Sequence, residues 1–133
     1  MAVSQMTREF PYPIQQVWNV VTNLEDVSWR SDLERVEVLS KTTFVEYTKS
    51  RYATTFTVTA CEEPTFWAFD MENSNMSGHW EGRFTSTRVG TQVTFTEKVT
   101  VKHWWMGLLV TGYLMRQQKA YLEDLERKLG ERL

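Results

Sequence analysis

From Leu33 to Lys102 the chain alternates apolar and polar residues with a period of two, the pattern of strands that bury one face. Met76, Gly78, Trp80, Gly82 and Phe84 fall on one side of their segment, opposite Ser77, His79, Glu81 and Arg83. In the next segment Val93, Phe95, Glu97, Val99 and Val101 oppose Thr94, Thr96, Lys98, Thr100 and Lys102. The alternation predicts strands at about 33–40, 43–50, 52–61, 65–73, 76–88 and 91–102. Glu63-Pro64, Asn73-Ser74-Asn75 and Val89-Gly90 supply turns between them. An earlier strand covers Val3 to Phe10, with Met6, Arg8 and Phe10 on one face. Phe56 and Val58 are read as inward; the segments at 43–50 and 65–73 leave both faces open, with Val45 and Tyr47, and Trp67, Phe69 and Met71, favoured as inward.

Elsewhere the period becomes helical. Pro13 suits the first position of a helix, and Val17, Trp18, Val20, Val21 and Leu24 form its apolar stripe up to about Thr22. A second short helical turn or loop is expected from Leu24 to Trp29, counted as a short helix in the element order. The long element is the last. No proline interrupts Trp104 to Leu129, and Leu114, Gln118, Tyr121, Leu122, Leu125 and Leu129 recur at helical spacing before Gly130 ends the helix. At 1.5 Å per residue it would reach roughly 40 Å. Its first half, with Trp104, Trp105, Met106, Leu108, Leu109, Tyr113 and Met115, is apolar nearly all round and reads as core, pocket mouth, or a surface for a membrane or partner. Gly112, beside Val110 and Thr111, is expected to loosen the helix so that 104–111 can move as a lid.

Short connections make consecutive strands antiparallel neighbours. A seven-stranded sheet with one long helix can bury its apolar face only by curling around that helix. The expected class is therefore α+β: a curved seven-stranded antiparallel sheet wrapped around the C-terminal helix, with two short helices after the first strand. Gly78 and Gly82 on the inner face mark a sharp bend, or room for a guest.

Length and composition narrow the function. At 133 residues the chain is expected to be a single domain, 1–133. A net charge of −2 points to neither nucleic acid nor an acidic membrane as obligate partner. One cysteine, Cys61, leaves no internal disulfide and no cysteine-based metal site, and two distant histidines make a metal site improbable. The N-terminus shows no signal-peptide pattern, and no apolar stretch approaches the ~20 residues of a membrane span, so a cytoplasmic chain without stable membrane insertion is expected. Aromatic residues reach 14%, with six Trp, which fits either a well-filled core or an aromatic-walled cavity.

The order of several short motifs resembles a known superfamily. Phe10-x-Tyr12-Pro13 followed by Val17-Trp18, and then Trp29, is similar to the opening of START-like, or Bet v 1-like, proteins of the polyketide cyclase/dehydrase branch. Gly78-His79-Trp80, Gly90-Thr91-Gln92-Val93, Thr96-Glu97 and the closing Tyr121-Leu122-x-x-Leu125 resemble its late hairpin and final helix. Tyr12 stands where the family usually has a small alanine. The resemblance implies a helix-grip fold with an internal cavity between sheet and long helix. It implies no single chemistry, because the family spans lipid and hormone carriers, cyclases and hydrolase-like members.

Within such a grip, Glu97 is the foremost polar candidate, since it lies between Phe95 and Val99 on the inward side. Burial there would raise its pKa unless it is paired. Three roles are open: an ion pair with Arg8, a ligand contact, or general acid/base work. The pair is the expected outcome. His79 reads as outward, His103 as a boundary residue, Asp70 and Glu72 as outward, and Cys61 as an inert semi-buried residue. No nucleophile elbow, phosphate loop or dinucleotide fingerprint is present, so no catalytic residue and no cofactor are assigned.

The leading expectation is a carrier or sensor of a small apolar or amphipathic molecule, acting as monomer or homodimer. Its pocket would use Arg8, Trp67, Phe69, Trp80, Phe84, Phe95, Glu97, Leu108, Leu109 and Met115. A cyclase or dehydratase acting on a polyketide-like substrate is the first alternative. A protein-interaction module using Trp104-Trp105 is the second.

Overall fold

The computed structural model describes residues 1–131; Arg132 and Leu133, at the end of the expected domain, lie outside the described residues. The first strand, β1 (Ala2–Phe10), leads into α1 (Ile14–Thr22). Six strands follow: β2 (Leu33–Val38), β3 (Thr43–Thr48), β4 (Ala53–Glu62), β5 (Phe66–Glu72), β6 (Met76–Ser86) and β7 (Thr91–Val101). A 3-10 turn at Trp104–Leu108 precedes the long helix α2 (Val110–Leu129). The strands form one antiparallel sheet in the order β1-β7-β6-β5-β4-β3-β2. The meander from β2 to β7 is thus extended at its far edge by the first strand.

Register decides what faces the helix, because directly paired residues share a face. Trp80 pairs with Phe69 on one side and with Glu97 on the other, and Glu97 pairs in turn with Ser4 of β1. Phe44 pairs with Phe56, and their rings stack at 4.9 Å. That pairing turns Phe44 and Glu46 inward, contrary to the expected inward Val45 and Tyr47; Tyr47 instead lies outside, under the Arg35 guanidinium. The expected inward set of β5 (Trp67, Phe69, Met71) is the observed one, and Asp70 lies on the outer face, bonded to His79.

The long helix docks through Leu114, Gln118, Leu122, Leu125 and Leu129, all buried. Gln118 keeps its place in an apolar stripe because every polar atom is used. Its Oε1 accepts from Ser4 Oγ at 2.6 Å, and its Nε2 donates to the Ser4 and Phe95 carbonyls at 3.2 and 3.3 Å. Helix α2 is thereby tied to β1 and β7. It begins only at Val110, so the break in the expected helix falls at Leu109 and not at Gly112, which lies within its first turn.

Only one of the two expected short helices forms. Helix α1 buries Val17, Trp18 and Val21, but residues 23–32 are turns and bends. Short polar side chains capture the backbone there. Asn23 Oδ1 accepts the Glu25 amide and Asp26 Oδ1 the Ser28 amide, which closes local turns at the expense of a helix. This segment is then pinned to α2: Asp124 Oδ2 accepts both the amide and the hydroxyl of Ser31 at 2.8 Å, and Arg127 Nη2 donates to the Trp29 carbonyl at 2.8 Å.

Gly90 explains another local choice. A β-carbon at Gly90 would collide with the Phe10 carbonyl and lie 2.6 Å from the Tyr12 nitrogen, while Thr91 Oγ1 donates to the Tyr12 carbonyl at 2.8 Å. The β6–β7 turn is therefore packed directly onto the β1–α1 corner. Gly90→Ala is expected to cost about 2–3 kcal/mol, because backbone must move on one side or the other. Urea denaturation measures it; a change below ~0.5 kcal/mol would mean that the corner yields freely.

Candidate ligand cavity

Between the curled sheet and α2 lies a cavity of about 160 Å³. One wall is aromatic. Phe69 stacks on Trp80 at 4.8 Å, Trp67 meets Phe69 edge-on at 5.2 Å, and Phe95 approaches Trp80 at 5.0 Å. Gly82 makes this wall possible, since a β-carbon there would sit 2.6 Å from the Trp80 indole. Its role is to seat the ring that borders the cavity. Gly78 differs: its absent side chain would meet the Lys98 backbone oxygen at 2.6 Å, as expected where the sheet bends.

The opposite wall is charged. Arg30, from the segment pinned to α2, donates through Nη1 to Glu46 Oε2 at 2.8 Å, and through Nη2 and Nε to the two Asp32 oxygens at 2.9 and 3.3 Å. Its guanidinium lies 5.0 Å from the Tyr121 ring centroid. Burial alone would lower the Arg30 pKa, but the Glu46 and Asp32 carboxylates outweigh it and hold the guanidinium charged. Burial, with a smaller push from Asp32, raises the Glu46 carboxyl above its ordinary value, and the Arg30 guanidinium bonded to it through Nη1 pulls it only part of the way back. Burial likewise raises the Tyr121 phenol.

Glu97 also lines the cavity and has no hydrogen-bond partner among the described residues. Burial, reinforced by the Glu46 carboxylate and only partly offset by Arg30, pushes its pKa up to about 7. Tyr113, 46% exposed, marks where the lining reaches solvent, together with Tyr52 and Gln117. Tyr52 and Ser74, from the β3–β4 and β5–β6 turns, share a hydrogen bond of 2.8 Å at this rim.

Five of the residues expected at the site do line the cavity: Trp67, Phe69, Trp80, Phe95 and Glu97. Five do not. Phe84 is buried beneath α1, edge-on to Trp18 at 5.2 Å. Arg8 faces α2, but it pairs in register with Val93, four residues along β7 from Glu97 and so roughly 13 Å away. Its nearest acid is Glu126 of α2, at 3.9 Å. The expected Arg8–Glu97 pair is therefore absent. Leu108 and Leu109 are 86% and 69% exposed, because the chain leaves the sheet as a 3-10 turn outside the grip. Met115 is 51% exposed, being a third of a turn away from the docking residue Leu114. Trp104 and Trp105 are exposed too and belong to neither core nor cavity lining.

Sequence reasoning missed Arg30, Asp32, Glu46 and, as a cavity residue, Tyr121. The one local signal was Trp29-Arg30-Ser31-Asp32, a cation flanked by an aromatic residue and an acid in a short connection. On the outer face, His79 is bonded to Asp70 and Glu81 at 2.7 and 3.0 Å, away from the cavity. Among the described residues no group of His, Cys, Asp and Glu is placed to hold a metal ion, and no helix is long and apolar enough to cross a membrane.

The family model described as polyketide cyclase / dehydrase and lipid transport matches residues 1–130. The chain belongs to this family. Members of the wider START-like superfamily are generally ligand-binding proteins. A START superfamily protein from Mycobacterium smegmatis superposes with a TM-score of 0.88 at 11% identity, over 97% of each chain. Protein MLL2253 from Mesorhizobium loti gives 0.80 at 13% identity over 94% of each, and TTHA0849 from Thermus thermophilus 0.76 at 16% over 96% of each. At such identities the likeness shows the fold alone. No curated protein matches the chain in sequence.

The Glu97 geometry gives a signed pH dependence. In the folded chain Glu97 keeps its proton up to about pH 7, whereas its ordinary value is 4.5. Its contribution to stability is full below pH 4.5 and is lost as pH rises through 7. Glu97→Gln is expected to be about 3 kcal/mol more stable than the parent at pH 8 and equal to it below pH 4.5. Urea midpoints across pH check this. A variant less stable at pH 8 would show that the carboxylate is held by a cation.

Proposed function

We propose that the chain binds a small hydrophobic or amphipathic molecule in the cavity between its sheet and α2. The observation that carries this reading is the pairing of an aromatic wall with one carboxyl that has no hydrogen-bond partner among the described residues. Buried polar groups ordinarily find partners within the fold, so a group left open toward a cavity is suited to an exchangeable partner. The Phe69–Trp80 stack would take the apolar part of the ligand, and Glu97 would fix its polar end. The volume favours a small ligand or the end of a longer one, since a dry cavity of about 150 Å³ accommodates a single benzene-sized ring.

One observation favours a second reading, a cyclase- or dehydratase-type enzyme. A carboxyl whose pKa is pushed up to about 7 can exchange protons near neutral pH, as general acid/base catalysis requires. The first reading needs only the cavity; the second also needs turnover that Glu97→Gln abolishes without weakening binding.

A plugged variant tests the first reading. Thr54 lines the cavity and, among the described residues, its side chain bonds only with Asn73, at 3.1 Å, so Thr54→Phe can fill the space at a cost of ~1 kcal/mol. The neutral one-ring probe benzyl alcohol, followed by tryptophan fluorescence, is expected to bind the parent and to lose at least tenfold in affinity in Thr54→Phe. Equal binding would place the probe elsewhere, for instance on the exposed Trp104–Leu109 segment, and would defeat the cavity reading.

A further inference from the structure

The polar groups of the cavity are unbalanced in sign, and this narrows the ligand class. Among the described residues Arg30 is the one basic side chain in the lining. Four acids line the same space: Asp32 beside β2, Glu46 of β3, Glu97 of β7 and Asp124 of α2. Asp124 has its own cation in Arg127, at 3.1 Å, and two donors from Ser31. Arg30 is shared between Asp32 and Glu46. Its Nε, one Nη1 hydrogen and one Nη2 hydrogen are already engaged, and the Tyr121 ring lies against it. Glu97 is left over.

An anionic ligand would have to approach an arginine flanked by two carboxylates, with a third acid nearby. Once Glu97 ionises, a neutral ligand would leave its charge without a partner. A cation would relieve it, because Glu97 is paired in register with Trp80, whose ring belongs to the Phe69–Trp80–Phe95 wall. A carboxylate next to aromatic faces is the arrangement that recognises an ammonium group, by ion pairing and cation–π attraction together. The remaining titratable groups near Glu97 are the phenols of Tyr113 and Tyr121 on α2 and Tyr52 before β4, which supply further ring faces and hydroxyls. The cavity lining contributed by β5 and β6 is aromatic or methionine, and β1 contributes none of it.

We propose that the cavity selects a small organic amine in its cationic form, with the ammonium on Glu97 and the apolar ring or chain against Trp80 and Phe69. The inference rests on the reading of this cavity as a ligand site. It has a proton signature. Below pH 7 an ammonium arriving at Glu97 displaces the carboxyl proton to solvent, so binding releases up to one proton and weakens as pH falls.

Three one-ring probes of similar shape test it by calorimetry and tryptophan fluorescence: benzylamine, benzyl alcohol and benzoate. At pH 8 benzylamine is expected to bind at least tenfold more tightly than benzyl alcohol, with benzoate weakest. At pH 6 benzylamine binding should release a proton, read as a heat that depends on the ionisation enthalpy of the buffer. Glu97→Gln should cost benzylamine at least tenfold while leaving benzyl alcohol within about threefold. Equal affinities for the amine and the alcohol, or a preference for benzoate, would overturn the amine assignment and leave the cavity reading standing. Failure of all three probes to bind would overturn both.

Discussion

One guanidinium holds the polar half of the cavity together. Arg30 is buried between Asp32 and Glu46 and can stay there only because each of these acids meets it directly. Nothing in a turn-rich connection would hold such a side chain in place by itself. The order is imported from α2, through Asp124 on Ser31 and Arg127 on the Trp29 carbonyl, with Trp29 edge-on to Tyr121 at 5.3 Å. Helix docking, the connection between α1 and β2, and the charge state of the cavity are therefore linked. The last half of α2 supports the site more than it covers it.

The same clamp gives Glu97 its character. Two acids already share the one arginine that lines the cavity among the described residues, and β1 offers Glu97 a serine partner in register where an arginine was expected. The carboxyl is left with burial and a like-charged neighbour, both of which favour the protonated form. The cost is borne by the fold and is recoverable on binding, the sense in which a functional group can be left unsatisfied in a stable protein. The family fold sets the space between sheet and helix, but the ligand is chosen by side chains such as these.

Much of the architecture was legible in the alternation of the strands and the stripe of α2. Period-two segments gave six successive strands, and the motifs around Pro13, Gly90 and Tyr121 indicated how the ends close. Glu97, Trp80 and Phe95 followed from strand parity, whereas Trp67 and Phe69 rested on a choice between two faces of β5 that parity left open. Parity failed on β3, where Phe44 and Val45 are both apolar and both buried, so the pattern could not say that Glu46 turns inward. The register with Phe56 decides it, and register is a long-range property. Arg30 and Asp32 lie in an irregular connection, where no period applies and only the tie to α2 gives them a direction. Leu108, Leu109 and Met115 were misplaced because an apolar run was read as continuous helix, whereas α2 starts later and presents Leu114 to the core.

The account depends most on Glu97 being an uncompensated buried carboxyl. Carbon-13 NMR of the side-chain carboxyls, with the Glu97 signal assigned by its absence in Glu97→Gln, measures this directly in the ligand-free protein. A titration midpoint near 7 is expected. A midpoint near 4.5, the ordinary value, would mean that Glu97 is solvated or already paired, and would contradict the account.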